Sequence, residues 1–109
     1  ALADRYFSAA ETEALRALPL SAQRRRFLSY WTLKESYIKA RGLGLAIPLD
    51  QFGFVLDDGP LRIAFDPRLR DDARRWRFAL MECDPGHFVA VGADTGGAAL
   101  RLRASEFVP

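Results

Sequence analysis

Two hydrophobic rhythms divide the chain. Up to about Arg41 apolar residues recur at helical spacing, and from Phe52 onward they alternate. Ser8-Ala9-Ala10-Glu11 has the form of a capping box, with Ser8 as N-cap and Glu11 reaching back to it. It predicts a short helix from Ala9 to Leu18, stopped by Pro19. Ser21 is placed to cap a longer helix running to Ala40 or Arg41, with Gly42 as its C-terminal stop. At about twenty residues that helix would be about 30 Å long. Phe52, Phe54 and Leu56 then lead into a turn at Asp57-Asp58-Gly59-Pro60, and Leu61, Ile63 and Phe65 alternate after it, which is a hairpin pattern. Arg68 to Arg75 fits a loop or a single helical turn. Trp76, Phe78 and Leu80 alternate next. A turn at Asp84-Pro85-Gly86, a strand from Phe88 to Val91, a turn at Asp94-Thr95-Gly96-Gly97 and a last strand from Leu100 to Arg103 complete the pattern. Helices first and antiparallel strands afterwards predict an α+β domain: one short and one long helix packed on an antiparallel sheet of about three to five strands.

The long helix carries an anomaly. At 100° per residue, Phe27, Tyr30, Trp31, Tyr37 and Ile38 share one broad apolar face, and Lys34 falls inside it. Glu35 and Lys39 are neighbours on its flank, at i and i+4. A core-facing lysine is costly unless its ammonium finds a partner or water. Lys34 could snorkel past Trp31 to solvent, and Glu35 with Lys39 has the spacing of an ordinary surface pair.

Composition narrows the field. A chain of 109 residues, half of them hydrophobic, is one domain, residues 1–109. It is long enough to bury roughly 60–70% of the surface its unfolded chain exposes. Sixteen basic against fourteen acidic residues give a net charge of +2, too balanced for a disordered polyelectrolyte or a dedicated nucleic-acid clamp. No apolar run approaches the ~18 residues a membrane span needs. The single cysteine, Cys83, excludes an internal disulfide and fits a reducing, cytoplasmic setting. Fourteen of the basic residues are Arg, and the only lysines are Lys34 and Lys39. Either an Arg-rich bias left two residual lysines, or compact ammonium groups are needed in that helix, since Lys and Arg are not interchangeable around phosphates.

The string from Phe27 to Leu49 contains Trp31, Lys34, Glu35, Ser36, Tyr37, Lys39, Gly42, Gly44 and Leu45 in register. It resembles the signature W-x-x-K-E-[SA]-[FY]-x-K-x-x-G-x-G-L of the 4′-phosphopantetheinyl transferases, specifically the Sfp type. Arg5-Tyr6-Phe7-Ser8 with Glu11 is similar to the segment that leads into that motif. The resemblance implies transfer of the phosphopantetheine arm of coenzyme A to a serine of an acyl or peptidyl carrier protein, with release of 3′,5′-ADP and a requirement for Mg²⁺. It implies that Glu35 is a metal ligand that helps activate the serine hydroxyl, directly or through a metal-bound water. Lys39 would contact the pyrophosphate and stabilise developing charge, and Lys34 would contact coenzyme A phosphates. Trp31 would anchor the helix. Gly42 and Gly44, which follow a helix rather than a strand, would end it and turn the chain beneath the site.

The chain departs from the family pattern in one respect. Sfp-type enzymes resemble two related α+β halves, the first supplying an acidic pair in a string like G-[VI]-D-[VI]-E. Nothing upstream of Trp31 resembles that string, and Asp94 lies too late and among turn residues. The chain, which begins Ala1-Leu2-Ala3, is expected to be the C-terminal half of a transferase, inactive alone. Its partners would be the missing N-terminal half or a second copy. A different class of function is a non-catalytic binding domain engaging an acidic protein through the Arg-rich surfaces at Arg24-Arg25-Arg26 and Arg68 to Arg77. The trimeric acyl-carrier-protein synthase type would need an acidic motif where Ala1 to Phe7 offers only Asp4. His87 and Cys83 lack spaced partners and read as turn or strand-edge residues.

Overall fold

Ser8 opens the first helix through the reciprocal pair its spacing predicts. Ser8 Oγ accepts from the Glu11 N–H at 3.2 Å, and the Glu11 carboxylate accepts from the Ser8 N–H at 3.0 Å. In the computed structural model, which describes residues 6–42 and 48–96, this helix, α1, spans Ala9–Arg16. It ends two residues before the expected Leu18, because the residue before a proline is excluded from helical geometry. The long helix α2 spans Leu20–Arg41 and starts one residue before the expected Ser21 cap. Pro19 occupies the N-cap with no side-chain hydrogen bond, and its carbonyl accepts from Ala22. Ser21 therefore lies inside the first turn. Gly42 ends α2 as predicted: at φ 70° its N–H reaches the carbonyls of Ile38 and Lys39.

The buried stripe of α2 is Ser29, Tyr30, Leu33, Lys34 and Tyr37. Phe27, Trp31 and Ile38, expected at its centre, are only half-buried. Core rings explain the rotation. Tyr37 packs on Phe52 at 4.8 Å, Trp76 at 5.1 Å and Phe65 at 5.4 Å between centroids. Phe27 and Trp31 meet only Phe7 and Tyr6 among the rings.

Strand β1 (Phe52–Val55) pairs antiparallel with β2 (Arg62–Phe65), Phe54 opposite Ile63. Strand β3 (Trp76–Asp84) pairs with β4 (His87–Asp94), Leu80 opposite Ala90, with an irregularity between Glu82 and Asp84. The described strands thus form two separate two-stranded ladders rather than one sheet. The first ladder closes where the Asp66 N–H donates to Gln51 O. The Arg-rich connection holds one short 3₁₀ turn, Ala73–Arg75, and β4 lies along α2. The predicted strand from Leu100 to Arg103, together with Asp4, Gly44 and Leu45, lies outside the described residues.

Two side-chain arrangements hold these layers. Arg25 on α2 makes a bidentate pair with Glu82, whose carboxylate also accepts from the Gly86 N–H at the tip of the β3–β4 hairpin. Gly53 lets β1 lie against α1: a Cβ there would overlap Ser8 Oγ and stand 3.1 Å from the Glu11 side chain. Gly53→Ala should therefore cost about 1–3 kcal/mol and lower the melting temperature measured by circular dichroism. The Arg25 hydrogen bonds hold Glu82 at a pKa of about 2, below its ordinary 4.5. Its contribution is thus complete above the ordinary value and is lost as pH falls toward 2. Denaturant midpoints should drop more steeply over that range in the wild type than in Glu82→Gln.

Candidate active site

Lys34 and Glu35 are adjacent in sequence and opposite in fate. A helix rotates 100° between them, and the rotated core face of α2 takes Lys34 inward. Its ammonium is fully buried, 0% exposed. The Nζ donates to Leu49 O and Phe52 O, each at 2.6 Å, and meets the Glu11 carboxylate at 2.9 Å. It also lies 4.2 Å from the Phe52 ring centroid. An ammonium has three N–H donors, and all three are engaged. Burial pushes the lysine below its ordinary pKa, with the Glu11 charge and hydrogen bond acting the other way.

Glu11 is equally buried and equally used. Beyond Lys34 and the Ser8 N–H, its second oxygen accepts from the Phe54 N–H at 2.9 Å. Phe52 O and Phe54 N belong to the edge of β1 that faces away from β2. The acid and the ammonium therefore satisfy the groups that a neighbouring strand would otherwise pair. Lys34, expected to contact coenzyme A phosphates, has its three donors taken up inside the fold, where it anchors α2. Glu11 is the residue sequence reasoning missed, since capping used only part of its carboxylate. The available signal was a core-facing lysine that required a counter-charge.

Glu35 is half-buried and Lys39 exposed, one turn further along the same side of α2. Neither forms an ion pair with the other or with another described residue. Two clefts among the described residues, of about 650 and 380 Å³, lie elsewhere: one between the start of α1 and the β1–β2 hairpin, the other beside Arg25, Leu56 and Phe88. Among the described residues no three His, Cys, Asp or Glu side chains converge as a metal cluster. Asp94, expected as a turn residue, is instead the last residue of β4, opposite Trp76, and its carboxylate accepts from Arg75 at 3.2 Å and from the Gly96 N–H just beyond the strand. His87 starts β4, and both it and Cys83 are exposed.

Among the described residues, Glu35 and Lys39 thus stand unpaired on a helix that is anchored by a buried ion pair and backed by antiparallel hairpins. The family model of the 4'-phosphopantetheinyl transferase superfamily matches residues 1–91. The chain is 38% identical over 93 residues to 4'-phosphopantetheinyl transferase Sfp of Bacillus subtilis (strain 168), covering 84% of this chain and 40% of that protein. It is 37% identical over 84 residues to the phosphopantetheinyl transferase of Thraustochytrium sp., covering 72% and 28%. It is 36% identical over 73 residues to the L-aminoadipate-semialdehyde dehydrogenase-phosphopantetheinyl transferase of Rattus norvegicus, covering 60% and 23%. This chain belongs to the 4'-phosphopantetheinyl transferase superfamily and spans 40% or less of the length of these relatives. Among the described residues no helix is long and apolar enough to cross a membrane.

The ion pair yields a prediction that separates it from an ordinary buried pair. Glu11→Gln or Lys34→Met alone should cost about 3–5 kcal/mol by stranding the other charge. The double replacement Glu11→Leu with Lys34→Met usually relieves such a penalty. Here it leaves the backbone groups of Ser8, Leu49, Phe52 and Phe54 without partners, at about 1–3 kcal/mol each where they stay buried. Urea denaturation should therefore find the double variant still clearly less stable than wild type.

Proposed function

We propose that this chain is the C-terminal half of a transferase that moves the 4′-phosphopantetheine arm of coenzyme A onto a serine of an acyl or peptidyl carrier protein. The observation that carries this reading is that Glu35 and Lys39, alone in their segment, have no described partner, while Lys34 beside them is locked into the core. The helix is held from inside and presents one acid and one ammonium outward. The serine hydroxyl attacks the phosphorus next to the pantetheine, the bond to 3′,5′-ADP breaks, and the hydroxyl proton passes to a base. Glu35 is that base or orients the hydroxyl, and Lys39 stabilises charge building on the pyrophosphate.

The residues fit Mg²⁺ in part, since this ion is commonly held by one or two carboxylates together with phosphate oxygens and water. Glu35 is the carboxylate this chain would contribute, and any further acids would come from an upstream half or a second copy. The chemistry the ion supplies when bound is neutralisation of phosphate charge. The isolated chain is therefore read as inactive.

The pairing of the Arg residues weighs against a binding domain for acidic proteins. Arg25, Arg62, Arg68, Arg74 and Arg75 are each matched to Glu82, Asp57, Asp66, Asp72 and Asp94. Much of the Arg-rich surface is self-neutralised.

In the longer transferase, Glu35→Ala and Lys39→Ala should each lower transfer by roughly 10²–10³-fold while leaving the circular dichroism spectrum unchanged. The readout is the mass of an apo carrier after incubation with coenzyme A and Mg²⁺. Full transfer by Glu35→Ala would remove the assigned role.

A further inference from the structure

Asp71 stands in the Arg-rich connection, apart from every residue given a chemical role above, and gathers four donors on one carboxylate. Its Oδ2 accepts from Tyr37 Oη at 2.6 Å and from Arg41 Nη1 at 2.7 Å, both near the C-terminal end of α2. Its Oδ1 accepts from Trp76 Nε1 at 3.0 Å, at the start of β3, and from the Asp72 N–H at 2.8 Å. One oxygen holds the helix and the other holds the strand. Arg41 closes the group by donating to Tyr37 Oη at 2.6 Å. The Asp71 side chain is only 12% exposed. Burial would raise its pKa, but the hydrogen bonds from Tyr37, Trp76, Asp72 and Arg41 outweigh it and keep the carboxyl below its ordinary value.

Tyr37 and Arg41 lie two residues to either side of Lys39. The last carbonyls of a helix lack intrahelical partners, so this is where helices loosen. In α2 the Gly42 N–H takes two of those carbonyls, and Asp71 grips side chains before and after Lys39. The exit of Lys39 from the helix is thereby referenced to β3. A bidentate-style clamp of this kind matters because a misplacement of about 1 Å can cost about 10²-fold in rate.

We propose that Asp71 is a positioning residue for the transfer reaction, clamping Tyr37 and Arg41 against Trp76 so that Lys39 is held toward the pyrophosphate. This rests on the reading of Glu35 and Lys39 given above. In the longer transferase, Asp71→Asn preserves size and removes the charge, and Tyr37→Phe removes a single hydroxyl and serves if the asparagine variant does not fold. Each should lower kcat roughly tenfold to hundredfold, with KM for coenzyme A and carrier little changed. The deciding readout is dependence on Lys39. In a Lys39→Ala background the same substitutions should change kcat by less than about twofold, because the two effects run through one group. An equal loss in both backgrounds, or no loss in either, overturns the inference. Wild type and Glu35→Ala, measured alongside, separate the two readings: no transfer by the wild type overturns the proposed function, and full transfer by Glu35→Ala removes only the role given to Glu35. If Glu35→Ala is inactive while Asp71→Asn and Tyr37→Phe behave as wild type, only the role of Asp71 falls.

Discussion

The Glu11–Lys34 pair joins three elements at one buried point: the first turn of α1, the middle of α2 and the open edge of β1. Burying two charges is expensive, and an ion pair alone often fails to recover the cost. Here each ion also supplies hydrogen bonds that backbone groups of β1 and its approach would otherwise lack. The arrangement is directional as well as cohesive. Only one rotation of α2 brings Lys34 to Phe52 O and Leu49 O together, so the pair fixes which side of the helix turns inward.

That rotation sorts the residues of the motif. With Lys34 committed inside, Glu35 a step of 100° away and Lys39 a turn beyond it fall outside the core, where neither pairs with a described residue. Neighbouring residues of one motif thus divide into a buried anchor and two side chains left accessible. A helix that packs one face and exposes another makes this division without a loop.

Much of the fold is legible in the sequence because its signals are local. The Ser8–Glu11 box, the stop at Gly42 and the turns at Asp57 to Pro60 and Asp84 to Gly86 depend on residues within a few positions of each other. Ser21 was misleading because Pro19 starts α2 through its own carbonyl, a geometry that overrides a good capping residue one position on. The centre of the α2 core face was displaced because a helical wheel weighs residues by polarity alone. Tyr30 and Tyr37 win the interior through ring contacts with Phe7, Phe52 and Trp76, and those contacts are distant in sequence. Lys34 was legible as core-facing, but its counter-charge was not: Glu11 lies 23 positions earlier in the chain, and its capping role was the only one its local spacing showed. The partition into two ladders was not legible, because the edge of β1 that faces away from β2 is taken by Glu11 and Lys34 rather than by a strand. Glu35 and Lys39 were legible as a spaced pair on one flank. Asp71 was hidden in a charged stretch that looks like solvated surface, and its worth comes from Tyr37 and Trp76 on either side.

The matched guanidinium and carboxylate groups around Arg62, Arg68, Arg74 and Arg75 give the surface a granular electrical texture. Each couple behaves as a small dipole whose influence fades faster than that of a bare charge, and at physiological ionic strength even bare charges are muted beyond about 8 Å. An approaching molecule would sense little of the formal surplus from afar. Discrimination on this side of the protein is consequently a matter of touch, decided by shape and hydrogen-bond matching after collision, with little help from long-range attraction.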